Sequence, residues 1–158
     1  MQKPLNSFLL LLFLMLTNYT HSQNEATEKL INKTINTFFE GLHKGDTVLI
    51  NKSISSTLKL QTIFVNKKGE NILKTETKKE FLHSISNKRK EDIWLEKLTS
   101  ITIKIDGSLA SVWTPYKFYF NNKLSHCGAN SFQLFNNNGN WKIIYLVDTR
   151  RRENCNLP

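Results

Sequence analysis

Residues 101–149 read ITIKIDGSLASVWTPYKFYFNNKLSHCGANSFQLFNNNGNWKIIYLVDT. Apolar side chains alternate with polar ones at Ile101, Ile103 and Ile105, a pattern typical of a half-buried strand. Three turn signals then follow: Asp106-Gly107, Asn121-Asn122-Lys123 and the Asn-Asn-Asn-Gly of residues 136–139. With residues 93–100, the stretch therefore predicts a meander of four long antiparallel strands, over residues 93–105, 109–120, 126–135 and 141–149.

The part of the chain before this meander predicts three helices and one hairpin. A helix over residues 26–44 presents one apolar stripe and ends at Gly45, and Asp46 caps a short second helix. Strands over residues 58–65 and 71–75 flank a turn, and a capping box from Thr77 to Glu80 begins a third helix that ends at Asn87. The fold class predicted is α+β.

The N-terminal residues indicate export. Lys3 precedes the apolar run FLLLLFLML at residues 8–16, and a polar segment with small residues at Thr20 and Ser22 follows, which is the order of a secretory signal peptide. The apolar run is too short to cross a membrane as a helix, so no membrane span is expected. We therefore predict a signal peptide over residues 1–22, cleavage near Ser22, and one domain over residues 23–158 in the periplasm or outside the cell.

The two cysteines fit an oxidising compartment. In a small exported domain, two thiols tend to pair, which predicts a disulfide between Cys127 and Cys155. Two separate buried thiols are the alternative. Neither cysteine belongs to a CxxC redox motif.

The chain is basic, with 22 Lys and Arg against 13 Asp and Glu and a formal net charge of +9. A basic surface can attract nucleic acid or other polyanions. The basic residues are scattered in short groups along the chain, however, which favours a solvated surface. No nucleic-acid partner is expected.

The order helix, helix, hairpin, helix, four strands resembles the NTF2-like superfamily, also called SnoaL-like, and most closely its exported bacterial lumazine-binding-like branch. The residues that carry the resemblance are Trp113-Thr-Pro-Tyr116-x-Phe118-Tyr119, His126-Cys127-Gly128, Phe132-x-Leu134 and Gly139-x-Trp141-Lys142-Ile143. The resemblance implies a cone-shaped α+β fold, in which three N-terminal helices and a curved antiparallel sheet surround a largely apolar pocket. It covers residues 25–150. A small-molecule ligand and a homodimer through the sheet are the partners expected, and no cofactor is expected.

The register of the second hairpin decides which side chains line such a pocket. A two-residue turn at Asn122-Lys123 would pair Tyr119 with His126 and Trp113 with Phe132. A slip of one residue, which a bulge near Pro115 would permit, replaces Trp113 and Tyr119 by Tyr116 and Phe118. The ligand-binding candidates are therefore Trp113, Tyr116, Tyr119, His126, Asn130 and Phe132.

His126 is the candidate for acid–base chemistry, because imidazole titrates near neutrality. Asp148 on the adjacent strand would orient it, and Tyr119 would steady a developing oxyanion. The alternative is a structural histidine, with Asp148 bridging to Arg150. Glu40 and Glu96 are interpreted as surface residues.

His43 and His83 have no metal ligand at a suitable spacing, so no metal site is expected. Two functions remain open. The first is an exported cavity protein that binds a small, partly apolar molecule, and the alternative is an isomerase, dehydratase or cyclase that uses His126 and Asp148. Whether the protein is an enzyme is left undecided.

Overall fold

The computed structural model describes the backbone of residues 5–156 and the side chains of residues 24–156. The signal peptide over residues 1–22 falls outside the described side chains and stays a prediction. Within the described part, no helix has the length and apolar character that a membrane span requires. The elements are helices α1 (Leu5–Lys44), α2 (Thr47–Ser53) and α3 (Lys78–Ser86), and strands β1 (Ile54–Val65), β2 (Asn71–Glu76), β3 (Trp94–Leu98), β4 (Thr102–Asp106), β5 (Leu109–Phe120), β6 (Lys123–Asn137) and β7 (Asn140–Arg150).

The two short helices begin where their capping residues predict. Asp46 accepts hydrogen bonds from the backbone N–H groups of Val48 and Leu49, at 2.8 and 3.1 Å. Thr77 and Glu80 form a reciprocal capping box at the start of α3. Each cap satisfies backbone donors that the first helical turn leaves without a partner.

The sheet is curved, open and mixed, with strand order β2-β1-β7-β6-β5-β3 and β4 paired to β5. The prediction of a purely antiparallel sheet is wrong, because β1 lies parallel to β7. A hairpin forces its two strands to be antiparallel, but α3 and the whole meander separate β1 from β7. The third helix follows the first hairpin, so only α1 and α2 precede the sheet.

The strand predicted over residues 93–105 is two strands. Both β3 and β4 pair with β5, and the register shifts between Leu98↔Tyr116 and Thr102↔Trp113. The break lies opposite Pro115, whose missing N–H removes one ladder donor. The Pro115 carbonyl instead accepts the backbone N–H of Thr99 at 2.9 Å.

The hairpin between β5 and β6 turns one residue earlier than its predicted position. Asn121 and Asn122 both have positive φ, 49° and 64°, and Phe120 pairs with Lys123. A bulge follows between Phe118 and Tyr119, so that Phe118 pairs with His126. The predicted pairing of Tyr119 with His126 is therefore wrong, and the alternative register is the one observed.

The hydrophobic core lies between α1 and the concave face of the sheet. Ile31, Ile35 and Phe38 from α1 are buried against Phe132 and Leu134 of β6. The Phe132 ring meets the rings of Phe38 and Phe39 edge-on, with centroids 5.7 and 5.9 Å apart. Trp141 is also buried, and its carbonyl accepts the Thr34 hydroxyl of α1.

The predicted disulfide between Cys127 and Cys155 is confirmed. Cys127 lies on β6 and exchanges two backbone hydrogen bonds with Arg151 just after β7. The chain then reverses through Asn154, which has a φ of 55°, and brings Cys155 back to β6. The C-terminal segment is thereby tied to the sheet.

Candidate functional site

A row of polar side chains crosses the concave face of the sheet. Thr114 of β5 pairs with Asn130 of β6, Asn130 pairs with Asp148 of β7, and Asp148 pairs with Thr62 of β1. Thr114, Asn130 and Asp148 are 0, 5 and 7% exposed. The neighbouring row, Val112, Phe132, Leu146 and Leu60, is apolar. The polar row therefore lies at the boundary of the core, where each polar group needs a partner.

Asn130 links this row to β3. Its side-chain Nδ2 donates to Glu96 Oε1 at 2.8 Å and to Thr114 Oγ1 at 3.2 Å. Asn130 is one of the predicted ligand-binding residues, and it lies at the centre of the polar row.

Asp148 has three donors around its carboxylate. The Thr62 hydroxyl donates to Oδ1 at 2.6 Å, and Arg150 Nε and the Tyr116 hydroxyl reach Oδ2 at 2.7 and 3.2 Å. Both carboxylate oxygens of Asp148 are therefore bonded within the protein. The Arg150 contact is the bridge considered in the sequence as the alternative to a His126 partner.

Glu96 has fewer hydrogen-bond donors than Asp148. Among the described residues, Asn130 is the one side chain that donates to it. Burial, with the nearby Asp148 charge adding to it, raises the pKa of Glu96 to about 7. Asn130 and Arg150 oppose this shift. Glu96 therefore exchanges its proton near neutral pH, and its interpretation as a surface residue is wrong.

Tyr116 reaches the network because Gly128, its partner across the sheet, has no side chain. A Cβ at Gly128 would lie 1.7 Å from the Thr149 carbonyl oxygen. That carbonyl occupies the space instead and accepts the Tyr116 hydroxyl at 3.0 Å. Burial and the neighbouring carboxylates of Asp148 and Glu96 raise the pKa of Tyr116, so its hydroxyl keeps its proton.

His126 borders this network on β6, with its ring edge-on to that of Tyr116 at a centroid distance of 5.8 Å. Its ring stacks on Phe118 at 4.9 Å, and its Nδ1 lies 3.1 Å from the Ser125 hydroxyl. Burial, with the Arg150 charge adding to it, lowers the pKa of His126 to about 4, so the imidazole is neutral at pH 7. The register places Asp148 opposite Asn130 and four residues from His126. The oxygens of Asp148 are bonded to Thr62, Tyr116 and Arg150.

The other predicted residues are divided between the two faces of the sheet. Phe132 is fully buried in the core under α1. Trp113 is 50% exposed, and the alternation of β5 places it with Tyr119 on the convex face, away from Tyr116. The Tyr119 ring lies 5.4 Å from Lys97 Nζ.

A cleft of about 450 Å³ opens between α1 and β3. Its lining residues are Asn36, Phe39, Glu40, His43, Glu96, Leu98 and Ile101. Glu96 thus belongs both to the cleft and to the polar network. His43 Nε2 accepts the Glu96 backbone N–H at 2.9 Å, and burial lowers the pKa of His43, so this imidazole is neutral with its proton on Nδ1.

Sequence reasoning missed Glu96, although a signal was present. Trp94, Glu96 and Leu98 occupy alternate positions of β3 and pair with Phe120, Phe118 and Tyr116. An acidic residue between two inward apolar positions is unusual for a surface side chain. Among the residues described, no group of three His, Cys, Asp or Glu is placed to hold a metal ion.

No protein-family model and no curated protein matches the chain. Solved structures do match it in fold. A protein of unknown function from Mycobacterium tuberculosis has a TM-score of 0.65 at 12% identity, over 83% of this chain and 75% of that one. An NTF2-like protein of unknown function from Shewanella baltica has a TM-score of 0.57 at 16% identity, over 80% and 94%. An NTF2-like protein from Cytophaga hutchinsonii has a TM-score of 0.56 at 17% identity, over 78% and 98%.

The raised pKa of Glu96 gives a prediction for stability against pH. Between pH 4.5, which equals the ordinary pKa of a glutamate, and about pH 7, folding is accompanied by uptake of a proton at Glu96. The stability that Glu96 contributes is therefore fully present below pH 4.5 and is lost as the pH rises to 7. Relative to Glu96→Gln, the free energy of unfolding of the wild type should fall by roughly 2 kcal/mol over this interval. The loss is smaller than the full pKa shift would give, because part of the side chain is still solvated. Thermal unfolding of both proteins at each pH measures the difference.

The exposed Glu91, whose side chain is 68% accessible, supplies the matched control. Glu91→Gln should track the wild type across the interval. Parallel curves for the wild type and Glu96→Gln would show that Glu96 titrates as an exposed carboxyl does.

Proposed function

Since the chain has the NTF2-like fold, we propose that it binds a small, partly apolar molecule in the cleft between α1 and β3. The observation that supports this most is the cleft itself, whose volume of about 450 Å³ suits a small ligand. Phe39, Leu98 and Ile101 supply apolar walls, and Glu96 supplies an ionisable group whose position Asn130 fixes. Apolar walls with few polar groups are the usual composition of a small-molecule site.

The setting we propose for this binding is outside the cytoplasm. Disulfides persist in oxidising compartments, so the Cys127–Cys155 pair supports export, as does the predicted signal peptide. Assignment to the lumazine-binding-like branch is part of the same proposal and rests on the sequence resemblance.

We also keep the homodimer through the sheet as a proposal. The convex face leaves Leu109, Trp113 and Phe135 about half exposed, and Leu109 pairs directly with Phe135. An apolar surface of this kind is commonly covered by a partner.

A second candidate function is proton transfer, in an isomerase, dehydratase or cyclase. It is favoured by two carboxyl groups in one network with different donors, since Asp148 has three and Glu96 has one. A carboxyl group whose pKa lies near 7 suits general acid–base catalysis, and Glu96 has such a pKa. One structural neighbour, from Streptomyces avermitilis, is named as a candidate dehydratase, at 12% identity and a TM-score of 0.57. In this function Glu96 would move the proton, with His126 as the alternative proton carrier and Asp148 holding Tyr116.

Filling the cleft should abolish binding. Ile101 is 38% exposed and lines the cleft, so Ile101→Trp places an indole in the cleft without removing a core residue. After exposure to a bacterial metabolite extract, the wild type should carry a bound species in native mass spectrometry, and the variant should carry less than about a tenth as much.

Ile93→Trp is the control, because Ile93 is 49% exposed and lies outside the cleft lining. It should bind as the wild type does. A wild-type protein that retains nothing from the extract, or an Ile101→Trp variant that retains the same species, would contradict the cleft as the binding site.

The proton-transfer candidate predicts isotope exchange into the bound molecule. Incubated in D₂O and released, that molecule should gain deuterium at carbon with the wild type, and Glu96→Gln should slow the gain by about a hundredfold or more. The mass of the released molecule measures the exchange. If His126→Gln slows exchange and Glu96→Gln does not, the proton carrier is His126. If the wild type exchanges at the uncatalysed rate, the proton-transfer function is contradicted and binding alone remains.

A further inference from the structure

We propose that the molecule bound in the cleft carries a positively charged amino group on an apolar body, and that the carboxylate of Glu96 pairs with this group. The inference rests on the proposed function and names the chemical class of its ligand. Its basis is the charge of the cleft, the bonding of Glu96 and the apolar walls beside it.

The cleft differs in charge from the rest of the protein. The chain has 22 Lys and Arg against 13 Asp and Glu, but the charged side chains that line the cleft are those of Glu40 and Glu96. The cations that interact with Glu40 and Glu96 are paired with carboxylates. Lys44 donates to Glu40 at 2.6 Å, and Arg150 donates to Asp148 at 2.7 Å.

Glu96 has an incomplete set of donors for a charged carboxylate. Its Oε1 accepts from Asn130, and its backbone N–H is bonded to His43. Its Oε2 has no hydrogen-bond donor among the described residues. A partly buried carboxylate with one donor is costly to ionise, and an ammonium group offers three donors and the opposite charge.

Ligands of other charge gain less from this cleft. A carboxylate in the cleft would be repelled by the charged form of Glu96. An alcohol could donate one hydrogen bond to Glu96 but would leave its charge unpaired. For one apolar body, the expected order of affinity is amine, alcohol, carboxylate.

Binding of an amine should also depend on pH. The cation favours ionised Glu96, whose pKa is about 7 in the free protein, so affinity should rise between pH 6 and pH 8. The neighbouring groups with shifted pKa values do not give this profile, since those of His43 and His126 are lowered and those of Tyr116 and Arg150 are raised. The carboxylates of Glu40 and Asp148 are ion-paired with Lys44 and Arg150.

Three probes with one apolar body test the inference: phenethylamine, 2-phenylethanol and 3-phenylpropanoate. Each is titrated into the full-length protein at pH 8 and followed by NMR chemical shifts. The wild type should bind the amine at least about tenfold more tightly than the alcohol, and the carboxylate most weakly. Glu96→Gln should remove the preference for the amine, and with it the rise in affinity with pH, while weakening binding of the alcohol far less than binding of the amine.

Glu91→Gln, on an exposed side chain outside the cleft, is the matched control and should leave all three affinities unchanged. Equal affinity for amine and alcohol, or a preference that survives in Glu96→Gln, would overturn the inference and leave the cleft as a binding site. Failure of all three probes to bind would contradict the cleft and the inference together.

Discussion

The pairing of β5 with β6 determines which side chains face α1. Asn121 and Asn122 make the turn in the left-handed region, and the bulge at Phe118 sets the pairing of Thr114 with Asn130 and of Tyr116 with Gly128. A slip of one residue would turn one strand's side chains to the opposite face. Trp113 would then compete for the interior, and the polar row could not form. Asparagine is one of the few residues that adopts positive φ at small cost, so the local sequence enforces this register.

Two layers follow from that register. The apolar row through Val112 and Phe132 packs under α1, and the polar row through Asn130 and Asp148 lies beside it. Buried polar groups destabilise a fold unless they are bonded, and this row is bonded strand to strand. The bonding is uneven, since Asp148 has three donors and Glu96 has one. Burial puts an exchangeable proton on Glu96 at the wall of the cleft, and the proposed proton transfer depends on it.

Local patterns in the sequence were enough for the parts of the fold that local chemistry determines. The caps at Asp46 and Thr77 are properties of a few adjacent residues, and the Cys127–Cys155 bridge was predicted from two cysteines in a chain with a predicted signal peptide. Pairings between strands that are distant in the chain were harder to predict from the sequence. Nothing in β1 indicates that it lies parallel to β7, and the break between β3 and β4 depends on Pro115 in a different strand.

The candidate site was harder to predict, because the state of each group depends on neighbours far away in sequence. The sequence predicts Asn130 and Tyr116 as ligand-binding residues and Asp148 as the partner of His126. Glu96, however, owes its raised pKa to burial and to Asp148, 52 positions away in the numbering of the chain. His126 was chosen because imidazole titrates near neutrality. Burial and Arg150 lower the pKa of His126 to about 4, and only the three-dimensional arrangement shows this.

The central claim is that Glu96 holds an exchangeable proton near neutral pH. A ¹³C NMR titration of the glutamate carboxyl carbons, with Glu96 assigned through the Glu96→Gln spectrum, tests it directly. The account requires the Glu96 resonance to shift with a midpoint at about pH 7. A midpoint at the ordinary value of 4.5 would contradict the account, because the cleft would then present a permanently charged carboxylate at neutral pH.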